Sequence, residues 1–245
     1  MRGTLVIYRR ELAGLFLAPL AWLLLFIAFA LNGYLFTLYL ATARGDVDDA
    51  VRLALGESFV FWALLVLVPP LLTMRMISEE SRSGVLEFLL TAPVSDFAVV
   101  VGKFLAATTF MAVLWSSVFV YAFTAGTVGP EVDWGVLCGG YAGAVLTSGL
   151  FSAIGLCASS ATSTPVVAAF AAVVFNIVLV LLPLLARLGT SEWIAPFVAR
   201  VHVIDHLKNS FLLGIFDSAY VVFFVAWTGL FLFLTVRVLE TRRWS

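Results

Sequence analysis

The sequence predicts an all-α integral membrane protein with six transmembrane helices. Charged residues are absent from five long apolar stretches, 12–43, 58–74, 104–130, 134–186 and 218–236. A helix needs about 20 apolar residues to cross the hydrocarbon core, and a charge at its centre costs at least roughly 2.5 kcal/mol. The composition agrees, because 12% of the residues are charged against about 25% in soluble domains.

The boundaries of the spans follow from charges and helix breakers. The stretch 134–186 is about twice as long as one span, and the polar run from Ala158 to Pro165 divides it into two helices. A single membrane domain over 1–245 therefore accounts for the chain, with no folded soluble domain. The predicted spans are about 18–42, 57–77, 102–127, 134–159, 165–187 and 217–238.

The N-terminal segment is predicted to be a retained interfacial helix. The charge-free run 12–43 is longer than the apolar region of about 7–15 residues in a signal peptide. Residues 3–16 mix Arg9, Arg10 and Glu11 with apolar side chains, which favours an elbow helix at the membrane surface. The chain would then turn near Pro19 into the first span.

The distribution of basic residues favours cytoplasmic termini. An even number of spans places both ends on one side, and the segments on that side carry nine of the 14 Lys and Arg residues. The net charge of −1 gives no indication of a nucleic-acid partner. We therefore expect a multi-pass protein whose environment is the lipid bilayer.

The last outer loop is predicted to contain a helix over about 194–212, because apolar residues recur there at steps of three and four. This periodicity favours an amphipathic or short re-entrant helix, which Gly214 can end. His202 and His206 flank Asp205, so a metal site is conceivable, but three residues give too few ligands for a closed site. The simpler interpretation is the polar face of an interfacial helix, and we expect no bound metal.

The inner loop between the second and third spans is charged but also strongly apolar. Gly84 allows the incoming helix to break, and Pro93 stops a short helix over about 85–92. The leucines of this helix either pack on the protein's own membrane face or form a docking surface for a soluble partner. The residues alone leave both interpretations open.

Three motifs at the ends of the spans have a familiar arrangement. The inner loop reads Glu79-Glu80-x-Arg82-x-Gly84-x-x-Glu87-x-x-x-Thr91-x-Pro93-Val94-Ser95, followed by Gly102-Lys103-Phe104. The N-terminal segment contains Tyr8-Arg9-Arg10-Glu11-Leu12, and the C-terminal segment contains Arg237-x-Leu239-Glu240-x-Arg242-Arg243-Trp244. This pattern resembles ABC transporter permeases of the type-2 export superfamily over essentially the whole chain. It is most similar to the gliding-motility and copper-enzyme-maturation families.

The resemblance implies a permease subunit in the inner membrane of a bacterium or archaeon. Such a subunit couples ATP hydrolysis by a separate cytoplasmic ABC ATPase to export or to mechanical work. It would pair with a second copy or with a paralogous permease that has an extracellular domain. ATP and Mg²⁺ would bind to the ATPase, because this chain has no GxxxxGK[ST] loop. We therefore expect no directly bound cofactor and no enzymatic activity from the chain alone.

The resemblance implies a role for one surface, and we predict a role for a second surface from the outer helix. The helix over about 85–92 would be a coupling helix that docks on the ATPase. The expected ATPase-coupling residues are Glu79, Glu80, Arg82, Gly84, Glu87, Leu90, Thr91 and Pro93. The outer helix would close the outer end of the path between subunits, with a gate formed by Phe197, Val201, Ile204 and Leu207.

Further expectations concern packing inside the spans. Gly135, Gly139 and Gly143 are spaced by four, which lets a helix backbone approach closely, either inside one subunit or at a dimer seam. Cys138 and Cys157 are expected to be core residues, because about 28 Å of helix separates them. Two adjacent prolines in the second span, at 69 and 70, are expected to kink it near its inner end.

The alternative class is a membrane-embedded enzyme, or a structural membrane protein without an ATPase partner. Intramembrane proteases need paired Asp, Ser with His, or a zinc motif, and lipid phosphotransferases need acidic metal clusters. Apart from scattered Ser and Thr, the polar residues inside the spans are Asn32 and Asn176. This argues against such an enzyme and equally against an ion path, which usually has intramembrane charges.

Overall fold

The computed structural model describes residues 2–83, 95–127, 132–187 and 201–243, and these residues form helices and short connections. The helices are α1 (Arg2–Leu17), α2 (Pro19–Thr42), α3 (Val47–Arg52), α4 (Phe59–Thr73), α5 (Ser78–Arg82), α6 (Asp96–Trp115), α7 (Ser117–Gly126), α8 (Trp134–Ala161), α9 (Pro165–Arg187), α10 (Val203–Lys208) and α11 (Ser218–Arg243). A π-helical turn spans Leu53–Glu57, and a 3-10 turn spans Phe211–Leu213.

Within the described residues, six helical segments are long and apolar enough to cross a membrane. They are Pro19–Thr42, Phe59–Arg82, Asp96–Gly126, Trp134–Ala161, Pro165–Leu182 and Ser218–Thr241. The prediction of an all-α protein with six helices of spanning length is therefore confirmed for this part of the chain. The third segment begins earlier than the predicted 102, because the Ser95 hydroxyl accepts a hydrogen bond from the Ala98 amide and starts the helix there.

The helix α8 is the centre of the bundle. It packs against α4, α6, α9 and α11, and 72% of its most apolar stretch is buried, compared with 11% for α11. Neighbouring helices can approach α8 closely because glycines interrupt its side-chain surface. The helices α2, α9 and α11 instead leave much of their apolar surface exposed, as expected for helices that contact lipid.

The glycine stripe of α8 packs inside the subunit. A Cβ at Gly143 would lie 2.5 Å from Leu207 and 2.8 Å from Phe211, and a Cβ at Gly139 would collide with the Phe211 carbonyl. Gly214 completes the contact with a positive φ of 72°, and a Cβ there would lie 2.8 Å from the Gly135 backbone. The described segment after residue 200 is thus seated on α8.

The segment after residue 200 differs from the single helix predicted over 194–212. Residues 194–200 lie outside the described residues, and α10 ends at Lys208. The reason is Ser210, whose hydroxyl donates to the Ile215 carbonyl at 2.6 Å while its carbonyl accepts from the Ile215 amide at 3.1 Å. These local bonds compete with helical hydrogen bonding, so a 3-10 turn follows in place of a continuous helix.

The expectation for the cysteines is wrong for one of them. Cys157 is partly buried, but Cys138 is exposed. Successive residues of an α-helix are separated by about 100° around the axis. Cys138 therefore lies beside, and not within, the packed face that contains Gly139.

We predict that Gly143→Leu destabilises the protein, because the new side chain would occupy the space of Leu207 and Phe211. Overpacking of this kind typically costs roughly 1–3 kcal/mol. The measurement is thermal unfolding of the purified protein in detergent. Gly229→Leu is the matched control, since a Cβ at Gly229 meets nothing within 4 Å. Equal melting temperatures for the two variants would contradict the described packing.

Candidate functional site

Four charged side chains meet at one end of the bundle, and we call this group the ion-pair cluster: Arg10, Glu11, Glu80 and Lys103. Lys103 Nζ lies 3.0 Å from Glu11 Oε1 and 2.9 Å from Glu80 Oε2. A guanidinium nitrogen of Arg10 lies 2.6 Å from Glu11 Oε1 and 2.7 Å from Glu80 Oε1. Each carboxylate is thus shared by two cations, and the formal charges sum to zero.

The position of α1 against α6 places Glu11 beside Lys103. A Cβ at Gly102 would lie 2.9 Å from Ile7 and 3.1 Å from the Thr4 carbonyl, so glycine allows the two helices to touch there. The hydroxyls of Tyr8 and Thr109 form a hydrogen bond of 3.2 Å farther along the same contact. Because α1 and α6 approach closely at Gly102, the next residue of α6, Lys103, lies close to α1.

The position of α5 depends on a break after α4. The two prolines at which a kink was predicted lie inside α4, and the chain turns farther on, between Thr73 and Ser78. The Ser159 hydroxyl of α8 accepts from the Ile77 amide at 3.2 Å and the Ser78 amide at 3.1 Å, and donates to the Met74 carbonyl at 2.9 Å. A side chain inserted into the helical ladder redirects the helix. Glu80 then follows on the redirected helix.

The cluster is largely shielded from solvent. The Lys103 side chain is 0% exposed, and those of Glu11 and Glu80 are 15% and 17% exposed. An isolated ammonium group in this position would cost several kcal/mol, so it requires both carboxylates as partners. Removing any one member leaves an uncompensated charge in a poorly solvated position.

The electrostatics of the cluster stabilise its charged state. Burial alone would raise the pKa of Glu11, but the Lys103 ammonium and the Arg10 guanidinium outweigh burial and lower the pKa below its ordinary value. The hydrogen bond to Glu11 raises the pKa of Arg10, against the opposing effect of its partial burial. The Glu11 carboxylate and the Arg10 guanidinium therefore stay ionised near neutral pH.

A small apolar cluster connects the other helices to the same end of the bundle. It contains Met76 and Ile77 from the turn after α4, Val100 and Ala107 of α6, Leu156 of α8 and Leu239 of α11. The ion-pair cluster and this apolar contact together join α1, α5, α6, α8 and α11. We call this the cluster end, and the end that contains α3 and α10 the opposite end.

The cluster flanks the predicted coupling helix on both sides. The helix α5 ends at Arg82 and α6 begins at Asp96, so the ion pair between Glu80 and Lys103 joins the two elements between which 84–94 lies. Among the described residues, no group of three or more His, Cys, Asp or Glu side chains that could hold a metal ion occurs. The ion pairs of Lys103 connect helices on both sides of the segment 84–94.

The expected coupling residues divide into three groups. Glu79 and Arg82 are exposed at the cluster end. The Glu80 carboxylate points into the ion-pair cluster and connects α5 to α1 and α6. Most of its side chain is therefore not available to a docking partner. The expected residues that lie outside the described part of the chain are Gly84, Glu87, Leu90, Thr91 and Pro93.

Sequence reasoning missed Glu11 and Lys103 as members of a site. Both lie within the motifs that carried the family resemblance, but their pairing is a contact across 92 positions. The available signal was Lys103 itself, a charge placed directly before the apolar run that starts at residue 104. Such a lysine needs a partner once the helix is packed.

The expected outer gate lies at the opposite end. Val201 and Leu207 are buried and Ile204 is partly buried, while Phe197 lies outside the described residues. The His202 ring accepts a hydrogen bond from the Asp205 amide at 3.0 Å and so caps α10.

His206, which was expected on the polar face of the outer helix, is partly buried. Its ring lies 4.9 Å from the ring of Tyr220 and 4.4 Å from that of Phe223, both on α11. His206 is therefore a packing residue between the segment after 200 and α11.

The comparison with protein families decides the identity of the chain. Residues 38–244 match the family described as ABC-2 family transporter protein. The chain belongs to the ABC-2 transporter family. Members of this family are typically the non-enzymatic membrane subunit of an ABC transporter and generally partner with a cytoplasmic ABC ATPase. A search among curated proteins found no match.

We predict that Lys103→Met alone destabilises this ABC-2 protein, because it removes one of the two cations that Glu11 and Glu80 share and leaves the cluster with a net negative charge. Since Arg10 stays paired with both carboxylates, the loss should be smaller than the roughly 3–5 kcal/mol typical of a buried charge without any partner. Adding Glu11→Gln and Glu80→Gln removes the carboxylate charges and should restore most of the lost stability. Thermal unfolding in detergent measures both effects. Lys208→Met, a partly buried lysine at the opposite end, is the control. A Lys103→Met protein as stable as the wild type would show that the cluster contributes no stability.

Proposed function

We propose that this chain is the transmembrane permease subunit of an ABC transporter that is driven by a separate cytoplasmic ATPase. Its output is export of a substrate or mechanical work across the membrane. The family match supports the permease role, and the absence of a phosphate-binding loop in the sequence supports ATP binding elsewhere. ATP and Mg²⁺ would accordingly be held by the partner.

The observation that carries this proposal is the ion-pair cluster, because its members Glu80 and Lys103 lie on the two sides of the segment 84–94. An ATPase docked on that segment would move α5 or α6, and the charges of Glu80 and Lys103 hold these helices together and to α1. The displacement would reach α8 and α11 through the apolar contact of Ile77, Leu156 and Leu239. A movement of the docking segment would therefore also move the other helices at the cluster end.

The outer gate and the dimer complete the proposal. A transport path between two permease subunits would be closed at the opposite end by the segment that contains Val201, Ile204 and Leu207. This segment is seated on the glycine stripe of α8, so a change in α8 would act on the gate directly. The second subunit would be another copy or a paralogous permease with an extracellular domain.

We predict that Glu87→Arg combined with Leu90→Asp abolishes association with the ATPase, because the docking surface loses its apolar contact and reverses a charge. Co-purification of the tagged ATPase with the membrane subunit measures this. Glu57→Arg combined with Leu213→Asp makes the same changes at two exposed positions of the opposite end and should retain the ATPase. Equal recovery of the ATPase by both double variants would contradict docking at 85–92.

The orientation proposed for the protein places the cluster end in the cytoplasm, as the excess of basic residues favours. In a background with Cys138→Ser and Cys157→Ser, we predict that a cysteine at Asp49 is labelled by an impermeant reagent from outside. A cysteine at Ser83 should be labelled only after the membrane is opened. Both positions are exposed and lie at opposite ends. The reverse labelling pattern would invert the proposed topology.

A further inference from the structure

A groove opens on the surface of the bundle at the cluster end. It lies between the corner of α1 and α2 on one side and α4 and α5 on the other, with a volume of about 350 Å³. Its wall is apolar, and Leu20, Leu24, Leu71, Leu72 and Met76 are among the lining residues. The groove is distinct from the segment 84–94 and from the outer gate.

The groove lies at the level of a membrane surface. It is placed where α1 meets α2, the first helix of spanning length, and where the apolar part of α4 gives way to the charged α5. Trp22 near the same corner is 60% exposed, and its indole nitrogen donates to the Phe16 carbonyl at 2.7 Å. Tryptophan in such a position is typical of the boundary between acyl chains and headgroups.

The rim of the groove presents one accessible cation beside one accessible anion. The Arg75 and Glu79 side chains are 64% and 59% exposed, and their closest charged atoms are 3.9 Å apart. This separation is wider than the 2.6–3.0 Å ion pairs of Glu11 and Glu80, whose charges are already matched by Arg10 and Lys103. Arg75 and Glu79 are therefore the charges that a ligand can engage.

We propose that this groove binds one phospholipid of the surrounding bilayer that has a zwitterionic, amine-bearing headgroup. The acyl chain lies along the leucine wall, the phosphate faces Arg75 and the primary ammonium faces Glu79. A headgroup with a phosphate but no amine satisfies Arg75 and meets repulsion from Glu79. A quaternary ammonium cannot donate a hydrogen bond to the carboxylate, so the primary amine fits best. The proposal holds for either orientation of the chain, and it gives Glu79, one of the expected ATPase-coupling residues, a contact with the lipid headgroup.

The test is native mass spectrometry of the full chain after equilibration with equal amounts of phosphatidylethanolamine and phosphatidylglycerol that have identical acyl chains. We expect phosphatidylethanolamine to be retained over phosphatidylglycerol by roughly 1.5- to fivefold, the range that partly exposed charge pairs supply. Arg75→Gln combined with Glu79→Gln should reduce this ratio to about one while lipid is still retained. A ratio of about one in the wild type would overturn the assigned headgroup.

A second pair of variants tests the groove itself. A Cβ at Gly14, which lines the groove, meets nothing within 4 Å, so the side chain of Gly14→Phe starts in open space and is expected to occupy the groove. Gly229→Phe adds the same side chain at another open position of the lipid-facing α11. We expect Gly14→Phe to lose most of the retained phosphatidylethanolamine and Gly229→Phe to keep it. Equal retention by the two variants, or no lipid on the wild type, would overturn the site.

Discussion

The buried ammonium group of Lys103 is the constraint on which the cluster end depends. An ammonium group withdrawn from water is stable only when carboxylates surround it, and the carboxylates must come from other elements. Glu11 comes from α1 and Glu80 from α5, so their electrostatic attraction fixes both helices against α6. Arg10 then balances the second negative charge from the more exposed side. One lysine therefore determines how three helices meet on both sides of the proposed docking segment.

At the opposite end, steric fit seats the segment after residue 200 on α8, and Arg52 of α3 donates a hydrogen bond to the Leu212 carbonyl at 3.1 Å. The glycines of α8 leave space on its surface that Leu207 and Phe211 fill. Gly214, with a positive φ, then turns the chain toward α11. Because α8 contacts four other spanning helices, it connects this contact to the cluster end. In the proposed permease, the ion-pair cluster, α8 and the glycine stripe would provide a connection between the two ends.

The sequence was sufficient for the spanning helices because the bilayer imposes a simple rule on length and charge. The sequence was insufficient where the hydrogen bonds of a single side chain ended or redirected a helix that the periodic pattern predicted to continue. Ser210 ended a helix that periodicity extended to 212, and Ser159 redirected the chain after α4 from 82 positions away. The pairing of Glu11 with Lys103 was equally hidden, because no local pattern encodes a distant ion pair.

If Lys103 holds α1 and α5 to α6 as one unit, its loss should loosen both helices together. Hydrogen–deuterium exchange of the Lys103→Met protein, compared with the wild type and with Lys208→Met, measures this. We expect backbone amides of Thr4–Glu11 and of Ser78–Arg82 to exchange faster together in Lys103→Met, and neither region to change in Lys208→Met. Unchanged exchange in α1 and α5, with any effect confined to the residues around position 103, would show that Lys103 does not hold these helices together.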